Sequence, residues 1–181
     1  MSLVGLKNLY YAIVESDTAT TTTYGTPVKI GEAISVDINP TVNETKLFGD
    51  DMAVAVDNSL GEITVTIETT NIPLEDLANL LGHTYDSDSD TLIAKSSDSS
   101  GSAYVALLFE SDKHDGGTRC VKLTKGRFKP SQETINTKGE NLEYQSPRLE
   151  GTFISRLSDG VWKIVKDYAK GASTADWYTS V

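Results

Sequence analysis

The sequence is short of almost everything that marks a catalyst. Among 181 residues there are one cysteine, two histidines and two methionines. The single Cys120 excludes an internal disulfide, and its strand-like setting, Arg-Cys-Val-Lys-Leu, reads as a buried small residue of a protein made in a reducing cytoplasm. His83 and His114 fall in unrelated turns, with no second His or Cys at zinc-ligand spacing, and His83 reads as a dipole partner at a helix C-terminus. There is no Gly-x-Ser-x-Gly elbow and no phosphate-cradling glycine loop ahead of a helix. The 26 acids contain no carboxylate pair that stands out, so pattern neither favours nor excludes glycosidase chemistry. Residues 86–90, Asp-Ser-Asp-Ser-Asp, open like a calcium loop, but Thr91 and Ser97 stand where the coordination pattern requires Gly and Glu. The longest apolar run, 103–109, is far too short to span a bilayer, and no charged-then-apolar leader pattern opens the chain. The expectation is therefore no enzyme, no metal, no cofactor and no membrane partner.

What is present is a string of short β patterns around one helix. Residues 62–69 alternate cleanly, with Ile63, Val65 and Ile67 facing inward and Glu62, Thr64, Thr66 and Glu68 facing a wet surface. Residues 33–39 alternate likewise, with Ile34, Val36 and Ile38 on one face and Pro40 ending the strand. Further strands are read at 9–15, at 104–110 and 118–125 around a His114–Gly117 turn, and at 148–154, where Gly151 marks a bulge. A last strand is read at 161–165, giving roughly eight in all. Residues 17–25 read as a polar loop with four consecutive threonines, and 127–144 as mostly loop.

The helix lies within residues 71–83. Leu74, Leu77, Ala78 and Leu81 hold the spacing of one buried face, Pro73 suits the first turn, Glu75 and Asp76 complement the positive end of the dipole, and Gly82 ends it. So short a helix needs a sheet to cover.

Between the strands, residues 41–60 read as a protruding hairpin built from 44–48 and 53–57 around Gly49, Asp50 and Asp51. Apolar residues near its tip read as a contact device, with Lys46, Phe48, Asp50, Asp51, Met52 and Val54 as the candidate inter-subunit residues. The formal net charge of −10 argues against phosphate-neutralising nucleic-acid binding. That charge is uneven, −5 over 86–112 and +5 over 113–129. Such blocks are ordinary solvated faces, or one meets the other on a neighbouring copy. The tail, 169–181, is polar but carries Trp177 and Tyr178, candidates for an arm that docks on something.

Several stretches together resemble the major tail, or tail tube, proteins of long-tailed bacteriophages of Gram-positive bacteria. They are Val4-Gly5-Leu6-Lys7-Asn8-Leu9-Tyr10-Tyr11-Ala12, Tyr24-Gly25-Thr26-Pro27-Val28, Gly61-Glu62-Ile63-Thr64-Val65 running into Ile72-Pro73-Leu74, and Leu80-Leu81-Gly82-His83. Tyr104-Val105-Ala106-Leu107, Phe109-Glu110-Ser111, Thr137-Lys138-Gly139-Glu140 and Gly151-Thr152-Phe153 follow in family-like order, and the resemblance ends near Trp162. It implies a mainly β, sandwich- or barrel-like fold with one flanking helix over about 73–81 and a long protruding hairpin. One domain, 1–168, would be followed by a C-terminal arm or tail, 169–181. It further implies a subunit of hexameric rings that stack into a hollow conduit for DNA ejection. The partners implied are further copies of the chain and other tail proteins such as the tape measure and baseplate, with DNA only in transit. The place implied is the virion tail, after synthesis in the host bacterial cytoplasm. On that resemblance Glu62 and Glu68 become candidates to face the lumen. A competing reading is a monomeric β-sandwich adhesin or carbohydrate-binding module with Trp162, Trp177 and Tyr178 as a stacking platform; a related tail-terminator or baseplate ring protein would share the fold.

Overall fold

The computed structural model describes residues 2–49, 52–98, 102–131, 137 and 146–181. Strands β1 (Leu3–Asp17), β2 (Thr22–Tyr24), β3 (Val28–Lys29), β4 (Ala33–Gly49) and β5 (Met52–Thr69) precede the helix α1 (Leu74–Leu81). After it come β6 (Thr84–Asp86), β7 (Thr91–Ile93), β8 (Val105–Lys113), β9 (Thr118–Lys129), β10 (Arg148–Ile154) and β11 (Lys163–Tyr168), then a 3-10 turn at Ala175–Tyr178. The principal sheet runs β2-β1-β8-β9-β10-β5-β4, with β3 beside β1 and β11 beside β9, and it curls into a half-barrel. A separate two-stranded ladder joins β6 to β7.

The concave face is the core. Leu9 and Tyr11 of β1, Ile63, Val65 and Ile67 of β5, Leu107 of β8, Leu123 and Phe128 of β9 and Phe153 of β10 meet there, with Leu80 of α1 driven in among them. The first half of β8, Val105–Phe109, is apolar at every position and is buried on both faces, as a continuous apolar run must be in a central strand. Its second face, with Ala12, Ala106, Leu108 and Cys120, is covered by Trp177 from the C-terminal 3-10 turn.

The helix ends as expected, on a left-handed Gly82 (φ 75°), and begins after Pro73. Of the expected face, Ala78 and Leu81 are buried and Leu77 packs on the core, but the face reaches further round, to Leu80 and Asp76, and leaves out Leu74. Leu80 is fully buried and Asp76 nearly so, whereas Leu74 is 39 % exposed. The reason lies in β1, where the buried Tyr11 hydroxyl donates to Asp76 Oδ1 at 2.9 Å and so gives a carboxylate a place at the interface.

Pro40 does not end its strand. It sits within β4 opposite Ile63. Because β4 is the sheet's outermost strand, its free edge loses nothing by a missing N–H. Ile34 is likewise corrected, since the ladder shifts between Ala33 and Ser35, and the bulged Ile34 is exposed while Ala33 packs on the core. Gly151 marks no bulge, because β10 pairs in unbroken register with both neighbours. A Cβ there would fall 2.8 Å from the Arg127 carbonyl oxygen and 2.9 Å from the Phe128 ring, so the position needs closeness. The presumed loop at 17–25 contains β2, and the loop read over 127–144 lies mostly outside the described residues, apart from the end of β9.

Candidate assembly surfaces

Three surfaces follow from this arrangement. The first is the hairpin. β4 and β5 pair continuously from Ala33 with Thr69 out to Gly49 with Met52, so the protruding arm is the core ladder prolonged. Residues directly opposite one another share a face, and faces alternate along each strand. Following the inward side from Ile38 and Pro40 therefore leads to Val42, Glu44 and Lys46, opposite Leu60, Asn58 and Val56. The other side carries Asn43 and Ser59, then Thr45 and Asp57. An extra residue of β5 between Pro40 and Val42 absorbs the bend, where Gly61 lies against Thr41 and Asn43.

Past the point where the core ends, the inward side of the arm carries Val42, Leu60 and Val56 interspersed with Glu44, Asn58 and Lys46, while the other side is polar. Val42, Val56 and Leu60 are each exposed by about half. Toward the turn apolar side chains occupy both faces, and Leu47, Phe48, Met52 and Val54 are each roughly two-thirds exposed. Of the expected contact residues, Phe48, Met52, Val54 and Lys46 lie together on this arm, Lys46 in a 2.8 Å ion pair with Glu44. Asp50 and Asp51 lie outside the described residues. Val42, Val56 and Leu60 were missed because only pairing register, not local pattern, places them on one side.

The second surface is the convex polar face of β4, β5, β10 and β9. Glu62 and Glu68 are both on it, Glu62 exposed and Glu68 half-buried. Neither stands alone: Thr152 Oγ1 donates to Glu62 at 2.9 Å, and Arg148 Nη2 lies 3.9 Å from Glu68. Next to them Lys129 and Glu150 form a 2.6 Å pair.

The third is the C-terminal segment. Trp177 is only 6 % exposed, under the Lys122 ammonium at 4.2 Å, while the Tyr178 ring lies 4.6 Å from that of Tyr10. Lys122 also donates to the Ser180 carbonyl at 2.6 Å, and burial lowers its pKa. Both aromatics are therefore engaged within their own subunit, and with Trp162 half-buried these three side chains do not form an exposed stacking platform.

Chemistry-bearing groups elsewhere have structural employment. Burial first, then the neighbouring Glu110, pushes the Cys120 thiol up to about 12, so it is not a nucleophile at neutral pH. His83 Nδ1 lies 3.2 Å from Asp98, whose carboxylate also accepts the Lys95 N–H and is held below its ordinary pKa by that bond first. Asp86 accepts from the Asp88 N–H and the Ser89 hydroxyl, closing its own turn. No group of three or more metal-ligating side chains gathers among the described residues. The basic block of 113–129 meets acids of this same chain: Lys113 and Arg119 meet Asp167, Lys125 meets Asp17 at 2.6 Å, and Lys129 meets Glu150. That favours the solvated-face reading of the charge blocks over pairing between copies.

No curated protein sequence matches the chain significantly. A family model described as phage tail tube protein matches residues 38–180, which takes in the hairpin, the helix, the convex face and the C-terminal segment beyond Trp162.

Proposed function

The chain belongs to the phage tail tube proteins, and from that premise we propose that it is the repeating subunit of the tube wall, closing into hexameric rings that stack into a conduit for DNA at ejection. The observation that carries this reading is the β4–β5 arm. Val42, Val56 and Leu60 lie in register with the core but have no core beneath them, and with Leu47, Phe48, Met52 and Val54 they leave an exposed apolar arm of the kind that marks a contact with another molecule. A further copy of the same chain is the simplest such molecule. Head-to-tail contacts that close give rings, and axial contacts that do not close give a filament. The free edge of β4 suits the same purpose, since unpaired strand groups can take up a strand from a neighbour.

In this reading Lys46, Phe48, Met52 and Val54, with Asp50 and Asp51 at the turn, contact the adjacent subunit or ring. The convex face with Glu62 and Glu68 lines the bore. Trp177 and Tyr178 fix the C-terminal segment so that its exposed side can meet a neighbour. A structural role is the family's, and no step of chemistry is assigned to any residue. Tape-measure and baseplate proteins are the expected further partners, and the virion tail, reached after synthesis in the host cytoplasm, is the expected place.

Electron microscopy of concentrated protein tests the proposal, with rings or tubes of uniform bore as the expected result. Deleting residues 44–57 should leave a folded monomer that no longer polymerises. Normal tubes from that deletion would overturn the role given to the arm.

A further inference from the structure

We propose that residues 169–181 form a strap that opens and closes on the folded sheet as a separate unit, and that only a closed subunit can enter the tube wall. The proposal rests on the reading that the docked segment meets a neighbour. The strap is held by side chains. Among the described residues its backbone hydrogen bonds close within it, from the Ala172 N–H to the Ala169 carbonyl, from Trp177 to Thr174 and from Thr179 to Asp176. Lys122 ties it to the body by donating to the Ser180 carbonyl at 2.6 Å, and the Tyr168 hydroxyl donates to Asp176 at 3.1 Å. Lys166 adds an exposed ion pair with Asp176 at 3.6 Å, and the Tyr178 ring lies against that of Tyr10. Gly171, at φ 80°, turns the chain between β11 and the aromatic pair.

Docking is a compromise. Trp177 packs on the small side chains of Ala12, Ala106 and Cys120, with Leu108, and so covers the second face of the central strands. Against that gain, Trp177 Nε1 is buried without an acceptor, and the Lys122 ammonium is drawn out of water over the indole ring. A donor that has given up its hydration for no partner, and an ion kept only by a ring and one carbonyl, both weigh against the closed state. The strands beneath are tied differently, since β8 is laddered to β1 on one side and to β9 on the other. The strap therefore has little to lose by opening while the sheet stays folded. Opening uncovers Ala12, Ala106, Leu108 and Cys120 and removes the strap from where a neighbour would meet it. A neighbour that binds only the closed form favours that form, and free subunits that stand open are withheld from the polymer.

Cys120, the single thiol, reports the state of the strap because it packs beneath Trp177. The test uses dithionitrobenzoate, an aromatic disulfide from which the Cys120 thiolate displaces thionitrobenzoate to form a mixed disulfide. In the free subunit the labelling rate should rise with urea at no more than about a third of the slope of global unfolding. Leu80→Ala, which weakens the sheet away from the strap, should leave the rate in water within about twofold, whereas Trp177→Ala should raise it at least about tenfold. A slope equal to that of unfolding, or an acceleration by Leu80→Ala equal to that by Trp177→Ala, would overturn independent opening. The mixed disulfide keeps Trp177 from seating, so labelled subunits should form no tubes, and a thiol reductant should restore assembly. Labelled subunits that assemble normally would overturn the checkpoint. In finished tubes, wild-type labelling should be at least about tenfold slower than in the free subunit. An equal rate would overturn the reading that a neighbour meets the strap, while its independent opening stood. If unlabelled protein forms no tubes at all, the tube-wall reading falls and the checkpoint with it, and opening is still decided on the free subunit.

Discussion

Tyr11 and Asp76, 65 positions apart, are joined by a 2.9 Å hydrogen bond from phenol to carboxylate inside the protein. Asn79 Nδ2 donates to the same phenol oxygen at 3.3 Å. This small network fastens the helix to the first strand and sets the helix's rotation, and it has a pH signature.

Burial raises the Tyr11 pKa from 10.0 to about 12, with Asp76 adding to the rise and Asn79 opposing it. The unfolded chain releases that proton first, so the stability it contributes is complete below about pH 10 and lost as the pH climbs through the folded value. Tyr11→Phe should flatten the fall in stability over that window. At neutral pH it should cost about 1–3 kcal/mol, because Asp76 is left buried without its donor. Cys120, shifted from 9.0 to about 12, contributes to the same alkaline fall. Tyr178 and Tyr24, raised by burial, contribute as well, so the difference between Tyr11→Phe and its parent, in denaturant titrations at several pH values in a Cys120→Ala background, isolates Tyr11.

The helix rotation makes a second prediction. Leu80→Ala should cost about 2–5 kcal/mol, as for a fully enclosed leucine. Leu74→Ala should stay within about 0.5 kcal/mol. Equal effects in urea unfolding would mean that the helix presents the face its leucine spacing suggests.

Gly126 of β9 leaves room for an aromatic ring. A Cβ there would lie 2.3 Å from Phe153 Cγ, and Phe153 is itself fixed edge-on to Phe128 at 5.8 Å. Gly126→Ala should destabilise by about 1–3 kcal/mol or more through overpacking. Adding Phe153→Leu should cost less than the two single changes summed, a non-additivity measurable by a double-mutant cycle.

On the hairpin, side matters more than position. Val56→Ser with Leu60→Ser should leave the melting midpoint near wild type and stop assembly, read by light scattering and electron microscopy. Asn43→Ser with Ser59→Ala, on the opposite side of the same ladder, should assemble normally. If both pairs assemble, the uncovered apolar side is not the contact.

Where local pattern and tertiary environment agree, the sequence was readable. Ile63, Val65 and Ile67 alternate and are buried, and Gly82 stops the helix where its freedom from a Cβ is needed. The departures come from distant partners. Asp76 looked like a dipole complement because its hydrogen-bond donor lies on another strand. Pro40 looked like a terminator because edge position is a property of sheet order. Trp177 looked like a free anchor because the small residues that receive it, Ala12, Ala106 and Cys120, are scattered along the chain. The hairpin tip was visible as apolar residues in a polar stretch, whereas Val42, Val56 and Leu60 needed the register between two strands.

The same hairpin bears on the order of folding. Its ladder begins at Gly49 with Met52, almost adjacent in the chain, and the β1–β2 and β8–β9 pairs are local too, whereas joining these hairpins into one sheet waits on pairings such as Tyr11 with Leu107 and Ile67 with Leu149. Local pairings close with the least loss of chain entropy and form early. The apolar arm is therefore expected to take shape before the core that rigidifies its base, and to wait longest for cover. Between those two moments a newly made chain is at its most adhesive, so the concentration of unfinished subunits, as much as the strength of the finished contact, decides whether the product is an ordered polymer or an aggregate.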